Sequence, residues 1–259
     1  MGKNNQHSQA ADFVIGRHAA QETLQTEGAK RINKLFLQAG LKAGALESLQ
    51  KKAKAQKIPV QRVPKTKLDL MSDHGNHQGV VLAITPYAYV DLDTLFSRAA
   101  AKKQPPFFLM LDEIEDPHNL GSIMRTADAV GVHGIIIPKR RSVGLTSTVA
   151  KTSTGAIEHV PVVRVTNLVA TAKELKQRGV WLFGTDMAGT DYRDWNAQGA
   201  ITIVIGNEGK GISPLLKKEM DEIVTLPMIG HVQSLNASVA TGLLLYQALT
   251  VKQKNGELP

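Results

Sequence analysis

The chain has 259 residues, 42% hydrophobic and 21% charged, with 31 Lys+Arg against 23 Asp+Glu and no cysteine. That length allows one large domain or two modest ones, and the composition excludes disorder as the main state. The absence of thiols excludes disulfides, cysteine nucleophiles and Cys-ligated metal, and the eight His residues show no HExxH-like spacing, so no metal is expected and catalysis must use oxygen and nitrogen groups or a bound cosubstrate.

Residues 1–11 are polar, are expected to be flexible, and lack the apolar stretch of a secretory signal; no later run approaches the roughly 18 apolar residues of a membrane span. A cytoplasmic protein with no membrane partner is the expectation. From Ile15 to Pro86 helical and strand-like stretches alternate: a helix over His18–Thr26 stopped by Gly28, a strand at Leu35–Leu37, a helix over Ala45–Lys57, and strands at Val60–Val63 and Val80–Ile84. Residues 12–87 therefore read as a small α/β domain. The stretch DLDTLFSRAAAKKQPP reads as a short helix running into a breaker, which places a linker at 88–105. Beyond it, over 106–255, short apolar runs at Phe107–Leu111, Gly134–Ile137, Val162–Val165, Val180–Phe183, Ile201–Ile205 and Ile223–Leu226 are mostly separated by helical patterns, the mark of βαβ units and a mostly parallel sheet with helices on both faces.

The charge is unevenly placed. Residues 1–104 hold 16 Lys+Arg against 8 Asp+Glu, and residues 105–259 hold 15 against 15, so all the excess of +8 is amino-terminal. Such a footprint fits a polyanion, since phosphate contacts dominate non-specific nucleic-acid affinity. A solvated Lys-rich helix face carrying Lys51, Lys52, Lys54 and Lys57 is the plainer explanation.

Three segments of the second half carry candidate chemistry. In DPHNLGSIMRTADAVG, a turn opens a helix; with a start near Asn119, Arg125 falls less than two turns in, within reach of a substrate phosphate, or pairs with Asp128 at the surface. In IVIGNEGKGIS, Gly206, Gly209 and Gly211 let backbone approach a ligand, but Ile212 after Gly211 rules out a P-loop and Pro214 a Rossmann fingerprint. On spacing alone, a tight turn with Ser213 as N-cap and Pro214 at N1 is the plainer reading. In LPMIGHVQSLNASVATG, apolar side chains and free backbone suit a flat heterocycle, and Asn236 or Ser238 also reads as the cap of an apolar helix over Val239–Leu249. Lys139, Arg140 and Arg141 are a dense basic cluster, either binding phosphates or solvated.

Together, NLGSIMRTADAVG, IVIGNEGKGIS and LPMIGHVQSLNASVATGLLLYQAL resemble, in order and separation, the three signature motifs of the SpoU/TrmH branch of the SPOUT RNA 2'-O-ribose methyltransferases. Upstream, VIGRHAAQETLQ and HQGVVLAITPYAY resemble the small RNA-binding domain of the ribosomal-protein L30e type found in that family. The resemblance implies a catalytic domain whose carboxyl end is tied in a trefoil knot around S-adenosylmethionine, and a homodimer with the site completed across the interface. It implies Gly206, Gly211, Leu226 and Leu235 as cosubstrate contacts, with Thr185, Met228 and Ser234 beside them, and Asn119, Arg125, Glu208, Ser234 and Asn236 as the active site.

Methylating a ribose 2'-OH is an in-line displacement at a sulfonium methyl, so the protein must align the atoms and help remove the hydroxyl proton. A guanidinium stays protonated at ordinary pH, so the expectation is that Arg125 clamps a phosphate and stabilises alkoxide charge while Glu208 or a water takes the proton. The expected target is a guanosine of 23S ribosomal RNA. A tRNA guanosine methyltransferase, a ribosomal-RNA resistance methylase, a non-catalytic RNA-binding or assembly factor, and a nucleotide-using enzyme of small-molecule metabolism are the rivals.

Overall fold

The computed structural model describes residues 13–25, 31–41, 46–85, 87–232 and 234–259. The amino-terminal stretch expected to be flexible and the helix stop at Gly28 lie outside them. The chain divides after Ala88 into two units, residues up to Ala88 with Gly144–Ser147, and Tyr89–Val143 with Thr148–Pro259.

The first unit is built on strands β1 (Phe13–Ile15), β2 (Ile32–Gln38), β3 (Val60–Val63) and β4 (Val80–Ile84) in the order β1-β4-β2-β3. β4 runs antiparallel to β1 and β2, and β2 runs parallel to β3. Side chains of β2 alternate between two cores because successive residues of a strand point to opposite faces. Leu35 and Leu37 pack with Ala20 and Leu24 of α1 (Arg17–Gln25) and Leu49 and Ala53 of α2 (Glu47–Ala55). Phe36 packs on the other face with Val63, Val81 and Leu68 of α3 (Lys65–Met71). β1 and α3 have no counterpart among the sequence expectations: both are short, and α3 carries Leu68 as its buried anchor.

In the second unit every neighbouring pair of strands is parallel: β5 (Phe107–Leu111), β6 (Gly134–Pro138), β7 (Val162–Val165), β8 (Trp181–Asp191), β9 (Ile201–Ile205) and β10 (Glu222–Thr225), ordered β10-β8-β9-β5-β6-β7. All residues of β5 and β9 are buried, as expected for central parallel strands covered on both faces. One core joins Phe108, Met110, Ile136, Val163 and Val204 to Leu95 of α4 (Leu92–Ala101), Leu168 and Leu175 of α7 (Leu168–Gln177) and Leu216 of α8 (Pro214–Lys217). Helices α5 (Pro117–Ala129) and α9 (Ala237–Lys254) pack on one another, and α6 (Ser147–Thr152) completes the helices.

The short helix expected within 88–105 is α4, whose Leu95 and Ala99 are buried and whose Asp91 caps it by accepting from Thr94 N; an i, i+4 apolar pair anchors it to the second unit. β8 is far longer than the four residues expected. Its pairing with β10 jumps from Ile223 opposite Gly184 to Val224 opposite Thr190, so Thr185–Gly189 bulge out of the ladder. No helix among the described residues is long and apolar enough to cross a membrane.

Candidate active site

Because the strands are parallel, the segments after β5, β8, β9 and β10 leave the sheet at the same carboxyl edge, where open α/β sheets place ligands. The first segment enters α5 through Asp116, whose side chain accepts from His118 N at 2.9 Å, with Pro117 at the first turn. The helix thus starts two residues earlier than expected, and Arg125 lies more than two turns in. Arg125 is exposed and makes no ion pair with Asp128 or any other carboxylate among the described residues.

The second segment is a tight loop braced by its own backbone. Asn207 and Gly211 exchange N–H···O bonds at 3.0 and 2.8 Å, the Asn207 side chain accepts from Gly209 N and Lys210 N, and its Nδ2 donates to Glu113 O. A Cβ on Gly206 would lie 2.1 Å from the Gly211 carbonyl carbon, so only glycine lets the loop close. Pro214 begins α8 as expected, but the Ser213 side chain caps nothing; its backbone N–H donates to the buried Asp112 carboxylate at 2.8 Å.

Asn236 fills both roles left open for it. Its Oδ1 caps α9 by accepting from Ser238 N at 2.9 Å and from Val239 N, while its Nδ2 donates to Asn119 Oδ1 at 2.9 Å and Glu208 Oε1 at 3.1 Å. Asn119, 7% exposed, donates its own Nδ2 to Glu208 Oε1 at 2.7 Å, and Ala237 N donates to the same oxygen at 3.2 Å. One carboxylate oxygen gathers three donors, and the three sequence segments meet there. Arg125 and Ser234 are exposed and are not hydrogen-bonded to this clasp.

The candidate cosubstrate contacts ring the same edge. Thr185 opens the β8 bulge and its hydroxyl donates to Val204 O at 3.3 Å. Gly206 is buried, Leu226, Met228 and Leu235 are half-buried, and Gly211 is exposed with φ of +67°. Leu226–Val232 belongs to neither helix nor strand, leaving its backbone groups off any ladder; half-buried apolar side chains beside such backbone fit an aromatic base that needs edge hydrogen bonds. Gln233 lies outside the described residues. Of the basic cluster, Arg141 is committed to Glu113 at 3.0 Å, and Arg140 is exposed. No group of His, Asp or Glu among the described residues is arranged to hold a metal.

Asn207 and Asp112, which brace the loop carrying Glu208, were not singled out from the sequence. The signal available was the position of Asp112 at the end of an apolar strand, where an acidic residue needs a donor.

A family model described as the SpoU rRNA Methylase family matches residues 106–246. The chain belongs to that family. A second model, for the substrate-binding domain of RNA 2'-O ribose methyltransferases, matches residues 13–90. The family member is thus an enzyme, an RNA 2'-O-ribose methyltransferase with a separate substrate-binding domain. It is 52% identical over 251 residues to YacO of Bacillus subtilis, by name a TrmH family tRNA/rRNA methyltransferase, covering 96% of this chain and all of that one. A Staphylococcus aureus protein named for the same family is 51% identical over 246 residues, covering 95% and 98%. Among solved structures, the SpoU methyltransferase AviRb of Streptomyces viridochromogenes in complex with the cofactor AdoMet superposes with a TM-score of 0.59 at 23% identity over 97% of this chain and 95% of that one; this likeness carries the fold.

Proposed function

We propose that this SpoU methyltransferase moves the methyl group of S-adenosylmethionine to the ribose 2'-OH of a guanosine in 23S ribosomal RNA. The observation that carries the reading is the meeting of Asn119, Glu208 and Asn236 on one carboxylate oxygen at the carboxyl edge of the sheet. S-Adenosylmethionine supplies an electrophilic methyl on sulfur. The chain's own task is to hold the ribose oxygen in line with that carbon and to stabilise the charge that grows on the oxygen.

Each residue has an assignment in this reading. Thr185, Gly206, Gly211, Leu226, Met228, Ser234 and Leu235 hold the cosubstrate. Arg125, exposed and unpaired among the described residues, takes the target phosphate and stabilises the developing alkoxide. Glu208 keeps Asn119 and Asn236 in place. Oε1 of Glu208 accepts from three donors of the clasp, so Glu208 is assigned to holding the site and water, the other acceptor expected, is assigned the proton.

The basic first unit delivers the RNA, and its resemblance to the L30e type rests on the motifs around Gly16 and Gln78. The carboxyl segment forms the trefoil knot, a reading supported by β10 at the sheet edge beside β8 and by the return of α9 onto α5. A homodimer is supported by the outer face of α9, where Val239, Leu243 and Tyr246 are 51%, 41% and 53% exposed on a helix that is apolar on both sides.

Incubating the protein with labelled S-adenosylmethionine and separate ribosomal RNA and tRNA pools, then mapping the modified nucleotide, tests the proposal. Label at a 2'-O-methylguanosine of 23S RNA is the expected result. Label only in tRNA would move the enzyme to the tRNA rival, and cosubstrate binding without transfer to either pool would favour an assembly factor.

A further inference from the structure

The far end of α9 carries an ion pair between a buried lysine and a half-buried glutamate that the chemistry above does not use. Lys252, with a side chain 0% exposed, donates to Glu257 Oε2 at 2.8 Å and to Gly199 O at 2.5 Å. Glu257 Oε1 in turn accepts from Gly199 N at 2.8 Å. Both backbone groups of one residue are thereby bracketed by a single salt bridge. The bracket depends on how the helix ends: Gly256, with φ of +71°, lets Glu257 N bond Lys252 O at 2.9 Å and Gly256 N bond Gln253 O at 3.0 Å, the paired bonds of a Schellman turn. That turn folds Glu257 back over Lys252. Gln198 adds a bond to Asn255 at 3.1 Å.

Gly199 stands two residues before β9, and β9 runs directly into the loop that carries Glu208. α9 and β9 are therefore fastened to each other twice and in antiparallel sense: Lys252 and Glu257 hold the start of β9, and Asn236 and Ala237 hold the loop at its end. An 18-residue helix spans about 27 Å at 1.5 Å per residue, so a slip at one fastening is carried rigidly to the other. Burying Lys252 is unfavourable unless it is paired, so a solvated Lys would be the default for the last turn of a helix.

We propose that Lys252 and Glu257 are positioning residues for methyl transfer: they set the axial register of α9 against β9 and so hold Asn236 at its distance from Glu208 and Asn119. The pair acts through Asn236 and touches neither RNA nor cosubstrate.

The kinetic arm of the test rests on the methyltransferase reading; the exchange arm does not. In Glu257→Gln, which keeps size and polarity but removes the charge, the single-turnover methylation rate on ribosomal RNA is expected to fall about tenfold with the KM for RNA unchanged, because sub-ångström misplacement of a site group is costly. In the Asn236→Ala background the same change is expected to have no further effect, since the group it positions is gone. A Glu257→Gln factor of the same size in both backgrounds, or no effect on the wild-type rate, overturns the proposal. Hydrogen exchange followed by mass spectrometry on the protein without RNA gives the second readout. Amides of Ser238 and Val239, at the opposite end of the helix, are expected to exchange faster in Glu257→Gln and in Lys252→Met, and unchanged exchange there overturns it as well. If the wild type methylates no RNA, the function falls and the exchange result still decides this inference.

Discussion

Asn119 Nδ2 donates to Glu208 Oε1 at 2.7 Å across 89 residues of chain, and this bond ties α5 to the loop after β9. The oxygen that accepts it also accepts from Asn236 and Ala237, so replacement of Glu208 by Ala leaves the buried Asn119 amide without its partner. The expected cost is about 1–3 kcal/mol in unfolding free energy, measured by urea denaturation, with a loss of roughly 100-fold in single-turnover rate. Glu208→Gln keeps an accepting oxygen and is expected to retain the pH dependence of the wild type with a smaller loss of rate. A shifted pH profile in Glu208→Gln would return the proton to this residue.

Arg125 stands apart from that clasp, exposed and without an ion pair among the described residues. A structural Arg at this position would be replaceable by Lys at little expense. The proposed role predicts instead a fall of about 10- to 100-fold in rate for Arg125→Lys, because an ammonium loses the bidentate fork. Unfolding free energy and affinity for S-adenosylmethionine should stay unchanged. Arg125→Ala is further expected to lower the salt slope of RNA binding by about one, as the loss of one phosphate contact requires.

Val239, Leu243 and Tyr246 follow one another at i, i+4 and i+7 on the outer face of α9, while Thr241, Leu244, Leu245 and Ala248 face inward and are buried. Tyr192, Gln247 and Thr250 join them in lining an open groove. If this groove receives a second copy of the chain, Leu243→Asp is expected to turn a dimer into a monomer by light scattering and to reduce methylation. A wild-type protein already monomeric at micromolar concentration would refute the assignment.

The sequence patterns led to β3, β4, β5, β7 and β9 with the observed bounds, edge strands β3 and β7 included, because Pro, Gly, Asp or Asn punctuates both sides of each run. The order of the three motif segments led to the clasp, although each also had a plainer local reading. Asn236 explains why neither reading excluded the other: the oxygen of its amide caps a helix and the nitrogen completes the site. What stayed hidden was tertiary. Asp112 accepting from Ser213 N depends on a register across 101 residues, the bulge of Thr185–Gly189 depends on the pairing of β8 with β10, and Glu257 reaches Lys252 only through the turn at Gly256. α4 was legible as a short helix ahead of the Lys-Gln-Pro-Pro breaker, but that Leu95 and Ala99 bury it against the second unit was not.

His133 gives the second unit a definite response to acid. Its ring is buried at the start of the sheet, where Nδ1 accepts from Phe107 N at 3.1 Å and Nε2 lies 3.0 Å from Gln104 Oε1, so the neutral tautomer carries its proton on Nε2. Burial, and then the positive charges of Lys102, Arg98 and Lys252, lower its pKa from 6.5 to about 4. Between those values the unfolded chain binds a proton that the folded chain refuses, so the contribution of this group is fully present above pH 6.5 and is lost as pH falls towards 4, below which it levels off. With 1.36 kcal/mol per pKa unit, the loss approaches about 3 kcal/mol across that window. His133→Asn, whose Oδ1 can accept from Phe107 N in place of Nδ1, is expected to flatten the decline in unfolding free energy between pH 6.5 and pH 4 measured by urea denaturation. A variant that loses stability over that window as steeply as the wild type would show that another group titrates there.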